Sequence, residues 1–183
     1  MSIRHRLLAR WLGYQIVWLA CATGASRGAG WLGILASLTF VAASMRFEPL
    51  PRGAMAVIAA SAISGAVFET ALVQWDFVRY AAPWPSASLA PAWIVALWLS
   101  FGAVIPSMTA ILGNNPVRNG AALAFVAAPL AYGAGARLGA LEVIRPAWTA
   151  YLVIAFGWAV LLPGLIALSS ALLPRPHGAA GAP

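Results

Sequence analysis

Long runs of apolar residues constrain this chain more than any other feature of its sequence. Six such runs cover residues 7–23, 31–45, 54–75, 89–112, 117–136 and 147–173. A helix that crosses a bilayer needs about 20 mostly apolar residues. The connections between the runs are short and rich in turn-forming residues, such as the prolines of "RFEPLPR". The pattern predicts an all-α fold, a polytopic transmembrane helical bundle of about six spans.

The composition supports a single membrane-embedded domain over residues 1–183. Hydrophobic residues make up 62% of the chain and charged residues 8%, whereas soluble domains carry about 25% charged residues. No polar linker separates the runs, and residues 174–183 are predicted to form a flexible C-terminal tail. The first run is predicted to stay in the protein as a helix, because Trp11, Tyr14 and Gln15 interrupt the apolar core that a cleaved signal peptide needs.

The positions of the arginines predict the orientation of the spans. All 11 basic residues are arginine, and short cytoplasmic loops carry an excess of such charges. The more heavily charged side, which holds both termini, carries Arg4, Arg6, Arg10, Arg46, Arg52, Arg118 and Arg175. The opposite side carries Arg27, Arg79, Arg137 and Arg145. Both termini are therefore predicted to be cytoplasmic.

Missing residue types exclude several kinds of chemistry. Cys21 is the single cysteine, and the two histidines, His5 and His177, lie in the tails. With one cysteine, and with no histidine in the apolar runs, the sequence predicts neither a metal site nor a bound cofactor. The positions of the histidines also exclude a buried Ser-His-Asp triad. Without lysine the chain forms no Schiff base. The arginines are spread singly, so nucleic acid is not an expected partner. The sequence thus favours a non-enzymatic role.

One acidic residue, Glu69, lies inside the third apolar run. A charge at that depth is costly, so its side chain is expected to face the bundle interior. Gly65, one turn earlier, would let a neighbouring helix approach closely. Two interpretations stay open: a functional carboxyl that carries a proton or anchors a polar group of a substrate, and a structural carboxyl that is hydrogen-bonded within the bundle.

The candidate site is built around this carboxyl. We predict a ligand-binding site formed by Glu69, Gln15, Trp98 and Tyr132. Asp76 and Arg79, three residues apart, are predicted to pair on an extension of the third helix. They would form either a polar path from the outer surface to Glu69 or a solvated helix end.

Several motifs resemble a known family. The order of "YQIVWLACATGA", "AISGAVFETAL", "LAPAWIVALWLSF", "APLAYGAGARLGALE" and "FGWAVLLPGL" resembles an uncharacterised bacterial family of small inner-membrane proteins, a domain of unknown function. The most specific parts are the Ala-Pro-x-Trp entry to the fourth helix and the Pro-Leu-x-Tyr-x-x-Gly-x-x-Leu-Gly-Ala segment. The resemblance implies an acidic residue, usually Asp, where Glu69 stands. It also implies Asn and His where this chain has Pro106 and Ser107.

The resemblance also implies a role in membrane-lipid modification or envelope stress. The predicted function is that of an inner-membrane accessory protein that binds a lipid-like or small hydrophobic molecule. One alternative is the substrate-binding membrane subunit of a small-molecule transporter, and another is a structural scaffold in a membrane complex. The expected partners are the lipid bilayer, a hydrophobic small molecule and another membrane protein.

Overall fold

The described part of the chain folds into six helices and one small sheet. A computed structural model describes residues 3–47 and 53–173. Its elements are α1 (Ile3–Ser26), α2 (Gly30–Phe47), α3 (Ala54–Gln74), β1 (Val78–Tyr80), α4 (Ala92–Ile111), α5 (Pro116–Arg137), β2 (Leu141–Val143) and α6 (Ala147–Leu172). Each predicted apolar run coincides with one helix, which confirms the all-α bundle. The predicted tail, 174–183, which carries Arg175 and His177, lies outside the described residues, as does Arg52.

Fewer helices qualify as membrane spans than the sequence predicted. By length and composition, three described helices can cross a membrane: Ala54–Gln74, Ala92–Thr109 and Ala147–Leu172. This is compatible with a membrane protein, and it is fewer than the six spans that the sequence predicted. The apolar part of α2, Gly30–Arg46, is shorter. Arginine, asparagine and glutamine lower the hydropathy of α1 and α5, whose sequences include Arg10, Gln15, Arg118 and Asn119.

The helices pack as three antiparallel pairs of consecutive helices, and α4 lies at the centre of the bundle. α1 packs on α2, α3 on α4, and α5 on α6. α4 also contacts α1, α2 and α6. Of the residues in its apolar segment Ala92–Thr109, 72% are buried inside the protein, whereas the corresponding segments of α3 and α6 are each 33% buried. Because α4 is surrounded, its aromatic side chains face other helices rather than the surroundings of the bundle.

Small residues allow α3 and α4 to approach closely. Ser61 donates a hydrogen bond of 2.7 Å from its hydroxyl to the carbonyl oxygen of Trp98. A Cβ atom added to Gly102 would lie 2.7 Å from the Cα of Ile58, and a Cβ on Gly65 would overlap the Trp98 indole. The predicted small-residue contact at Gly65 is therefore confirmed.

At the C-terminus of α3 the chain leaves the helix and turns toward β1. Asp76 has φ 53°, a left-handed conformation. Its N–H donates to the carbonyl of Val73 at 3.0 Å, and the N–H of Phe77 donates to that of Leu72 at 2.9 Å. These two bonds form a Schellman motif, which satisfies the last carbonyls of a helix. Asp76 thus terminates α3.

A two-stranded antiparallel sheet, absent from the sequence prediction, covers this end of the bundle. Val78 pairs with Val143, Arg79 with Glu142, and Tyr80 with Leu141. The expected pairing of Asp76 with Arg79 on a helix is wrong, because α3 ends before either residue. Arg79 instead contacts Glu142 across the sheet at 3.2 Å, where both side chains are about two-thirds exposed (66% and 67%).

Candidate functional site: a buried carboxyl in an aromatic cavity

The Glu69 side chain is almost completely enclosed, with 2% of the residue exposed. One oxygen, Oε1, accepts hydrogen bonds from Trp98 Nε1 at 2.8 Å and from the Tyr132 hydroxyl at 2.6 Å. The other, Oε2, accepts a hydrogen bond from the Tyr80 hydroxyl. The carboxyl therefore faces the bundle interior, as predicted, and its three partners are uncharged.

Each partner comes from a different element. Trp98 lies on α4 and Tyr132 on α5, while Tyr80 is the last residue of β1. In β1 the burial alternates, so that Tyr80 faces inward and Arg79 outward. Alternation is the normal period of a strand, and the sheet thereby brings a phenol over the end of the helical bundle. Glu69 links three separate parts of the fold.

Next to this carboxyl lies a cavity of about 460 Å³. It follows α4 from Trp93 to Met108, which is roughly 22 Å at the rise of an α-helix. Aromatic rings form much of its wall: Trp11, Tyr14, Trp18, Tyr80, Trp93, Trp98, Phe101, Tyr132 and Trp158. Its volume lies within the range of about 300–1,000 Å³ for small-molecule sites. The cavity is therefore elongated, apolar along its length, and polar at the Glu69 end.

The cavity opens sideways between α1 and α5. These two helices share no extensive packing contact among the described residues. Lining residues on both sides of the gap are exposed, including Gln15 on α1 and Leu130 on α5. Leu130 is 69% exposed. A molecule outside the bundle can therefore reach the cavity from the side.

The indole of Trp158 forms part of the cavity wall. It stacks on Trp98 with 4.3 Å between ring centroids. Its Nε1–H is buried and lies near the Tyr132 hydroxyl, but it forms no hydrogen bond of acceptable geometry within the described part of the chain. The stacked pair forms the wall of the cavity beside Glu69.

The donor set does not resemble a metal centre. Within residues 3–47 and 53–173, no group of three or more His, Cys, Asp or Glu side chains comes close enough to hold an ion. Glu69 is the one acidic residue among the described residues that line the cavity. The arrangement is suited to binding a polar group by hydrogen bonds and charge.

The structure brings together three of the four predicted site residues. Trp98 and Tyr132 both contact Glu69. Gln15 lines the cavity on the exposed side and is not among the hydrogen-bond partners of Glu69. Whether these residues bind a ligand stays a prediction at this point. Asp76 and Arg79 are exposed and do not line the cavity.

Sequence reasoning missed Tyr80 and the role of Trp158. Three residues, "VRY", are too few for alternation to stand out as a strand. Trp158 has no local signal in the sequence, because its position beside Trp98 depends on how α6 packs against α4.

Comparison with known proteins gives one match. No curated protein and no solved structure has significant similarity to the chain. A family model described as "Protein of unknown function (DUF2878)" matches residues 7–164. Since the match covers most of the sequence, including every residue of the Glu69 site, the chain belongs to this family of proteins of unknown function.

Proposed function

We propose that this chain is an integral inner-membrane protein that holds a lipid-like molecule in the cavity between α1 and α5. In this proposal it has an accessory role in membrane-lipid modification or envelope stress, as the family resemblance implies, and both termini are cytoplasmic. The observation that carries the proposal is the combination of a long apolar cavity, a side opening and a buried carboxyl at one end.

The shape of the cavity matches an amphiphile. Its length, roughly 22 Å along α4, accommodates a hydrocarbon chain that lies parallel to the helices. The walls offer rings and aliphatic side chains to such a chain, while Glu69, Tyr80 and Tyr132 offer polar contacts at one end. Burial of apolar surface would stabilise the complex by about 25 cal/mol per Å² before the cost of ordering.

The side opening matches delivery from the bilayer. The exposed residues that flank it on the outer faces of α1 and α5 are apolar, among them Leu12, Ile16, Leu19, Leu123, Val126 and Leu130. In a membrane these faces would contact lipid, so that an acyl chain could enter without crossing water. Gln15, at the mouth, would hydrogen-bond a polar group of the entering molecule.

The transporter alternative makes use of the same cavity, and co-purification with an ATPase module would favour it. A scaffold needs no internal space of this size, so the cavity favours a binding role over the scaffold.

A cavity-filling variant tests the proposal. Ala131 lines the cavity and is partly buried, whereas Ala122, on the same helix, is exposed and lies outside the lining. We expect Ala131→Phe to reduce the amount of hydrophobic small molecule that co-purifies with the protein by about tenfold, equivalent to roughly 1.4 kcal/mol. Ala122→Phe serves as the matched control and should retain the wild-type amount.

The measurement is mass spectrometry of organic extracts from protein purified in a mild detergent. Equal amounts of bound molecule in wild type and Ala131→Phe, with both variants folded, would contradict the proposal.

A further inference from the structure

Charge is unevenly distributed around the cavity. Among the described residues that line it, Glu69 is the one acidic residue and none is arginine or histidine. The hydrogen-bond partners of Glu69 are two phenols and one indole, all without charge. A buried carboxylate is normally paired with a positive group, and none of the described residues that line the cavity supplies one.

Three hydrogen-bonding groups surround the Glu69 carboxyl. An indole N–H donates and never accepts, so Trp98 requires an acceptor at Oε1. The hydroxyl oxygens of Tyr132 and Tyr80 lie within hydrogen-bond distance of Oε1 and Oε2. A carboxylate can accept all three hydrogen bonds, so these partners are compatible with an anionic Glu69 beside a bound cation.

The surroundings of this carboxyl are aromatic. Tyr80 packs against Trp93 with 5.7 Å between centroids, and Trp98 stacks on Trp158. All four rings line the cavity. Aromatic faces attract organic cations, most strongly where water is excluded, and clusters of such rings bind quaternary ammonium groups. A carboxyl group beside several rings is therefore suited to an organic cation.

We infer that the occupant of the cavity is a cationic amphiphile, with an ammonium headgroup against Glu69 and its hydrocarbon chain along α4. This inference rests on the proposed function and specifies the ligand class. The headgroup supplies the positive charge that the cavity wall lacks.

The position of Glu69 agrees with a headgroup site. It lies five residues before α3 ends at Gln74, which is roughly 8 Å from the end of the helix. The chain-binding part of the cavity extends from there toward Met108 and Leu162. An amphiphile would thus lie with its polar end near the sheet and its chain toward the opposite end of the bundle.

Three probes with the same 12-carbon chain separate charge from hydrophobic binding: dodecyltrimethylammonium, dodecanol and dodecanoate. Each is added to the purified full-length protein in a nonionic maltoside detergent, and occupancy is measured by native mass spectrometry. We expect the ammonium probe to bind at least about tenfold more tightly than the alcohol. Dodecanoate should bind most weakly, because it places a second negative charge beside Glu69.

Two variants test which residue gives the preference for the ammonium probe. Glu69→Gln keeps the size of the side chain and removes its charge, so it should abolish the preference for the ammonium probe. Glu142→Gln removes an exposed carboxyl outside the cavity and should leave the preference unchanged. The comparison of probes on the wild type is decisive even where Glu69→Gln folds poorly.

The outcomes separate the two proposals. Equal binding of all three probes, a preference for dodecanoate, or a preference that persists in Glu69→Gln would overturn the cationic ligand and leave the cavity function in place. Absence of binding by every probe, together with purified protein that carries no hydrophobic molecule, would overturn the proposed function itself.

Discussion

Gly65→Ala is expected to destabilise the protein by about 3 kcal/mol, the upper part of the range for overpacked cores. The added Cβ atom would overlap the Trp98 indole. Trp98 has little room to move, because its ring stacks on Trp158, packs against Phe101 and donates a hydrogen bond to Glu69. Relief therefore requires α3 and α4 to separate, which would also weaken the Ser61–Trp98 hydrogen bond.

The matched control is Gly164→Ala in α6. A Cβ atom at Gly164 meets no other atom within 4 Å, and alanine is favoured over glycine within a helix by about 0.5–1 kcal/mol. This variant should be as stable as the wild type or slightly more stable. Thermal unfolding in detergent, followed by circular dichroism, measures both. A Gly65→Ala protein that unfolds at the wild-type temperature would contradict the close α3–α4 packing.

Glu69→Ala is expected to have the second large effect, a loss of about 3 kcal/mol or more. It removes the acceptor for three buried donors, on Trp98, Tyr132 and Tyr80, and each orphaned donor costs roughly 1–3 kcal/mol. The sheet would also lose its hydrogen bond to α3. Protein abundance and thermal unfolding should both decrease.

Glu69→Gln separates stability from function. The amide keeps one acceptor oxygen, and the phenols can rotate to accept from its nitrogen, so the loss should be smaller, about 1–2 kcal/mol. Glu142→Ala is the control, since an exposed ion pair contributes at most about 1 kcal/mol. Cellular lipid composition is measured alongside abundance. Wild-type lipids and normal abundance in both Glu69 variants would remove the basis for a functional site.

The sequence predicted the helical part of the fold because long apolar runs carry a strong local signal. The ends of these runs coincide closely with α3 and α6, whose sequences are mostly apolar. By length and composition only three described helices qualify as spans, and α1 is not among them because its sequence includes Arg10 and Gln15. The sheet was missed because two strands of three residues, separated by more than 60 positions in the chain, show no local periodicity.

The sequence predicted the part of the candidate site that depends on how deep a residue lies in the membrane. An acidic residue inside an apolar run has to be shielded, and Gly65 marked the face of α3 that a neighbouring helix would approach. The identity of the shielding groups depended on tertiary contacts. Trp98 and Tyr132 were identified as lining residues, while Tyr80 was not, because its position results from the turn at Asp76 and the pairing of β1 with β2.

The same turn changes the interpretation of Asp76 and Arg79. Asp76 ends α3 through the Schellman motif, and Arg79 contacts Glu142 on the exposed face of the sheet. Neither residue lines the cavity. A polar path through these two residues stays a prediction.

An experimental density map of the protein in a lipid nanodisc tests the central claim most directly. The structure predicts elongated density between α1 and α5, extending along α4 and ending against the Glu69 carboxyl among Tyr80, Trp98 and Tyr132. A map in which α1 and α5 close together over a filled interior, or in which the Glu69 side chain points outward toward the acyl chains, would contradict it.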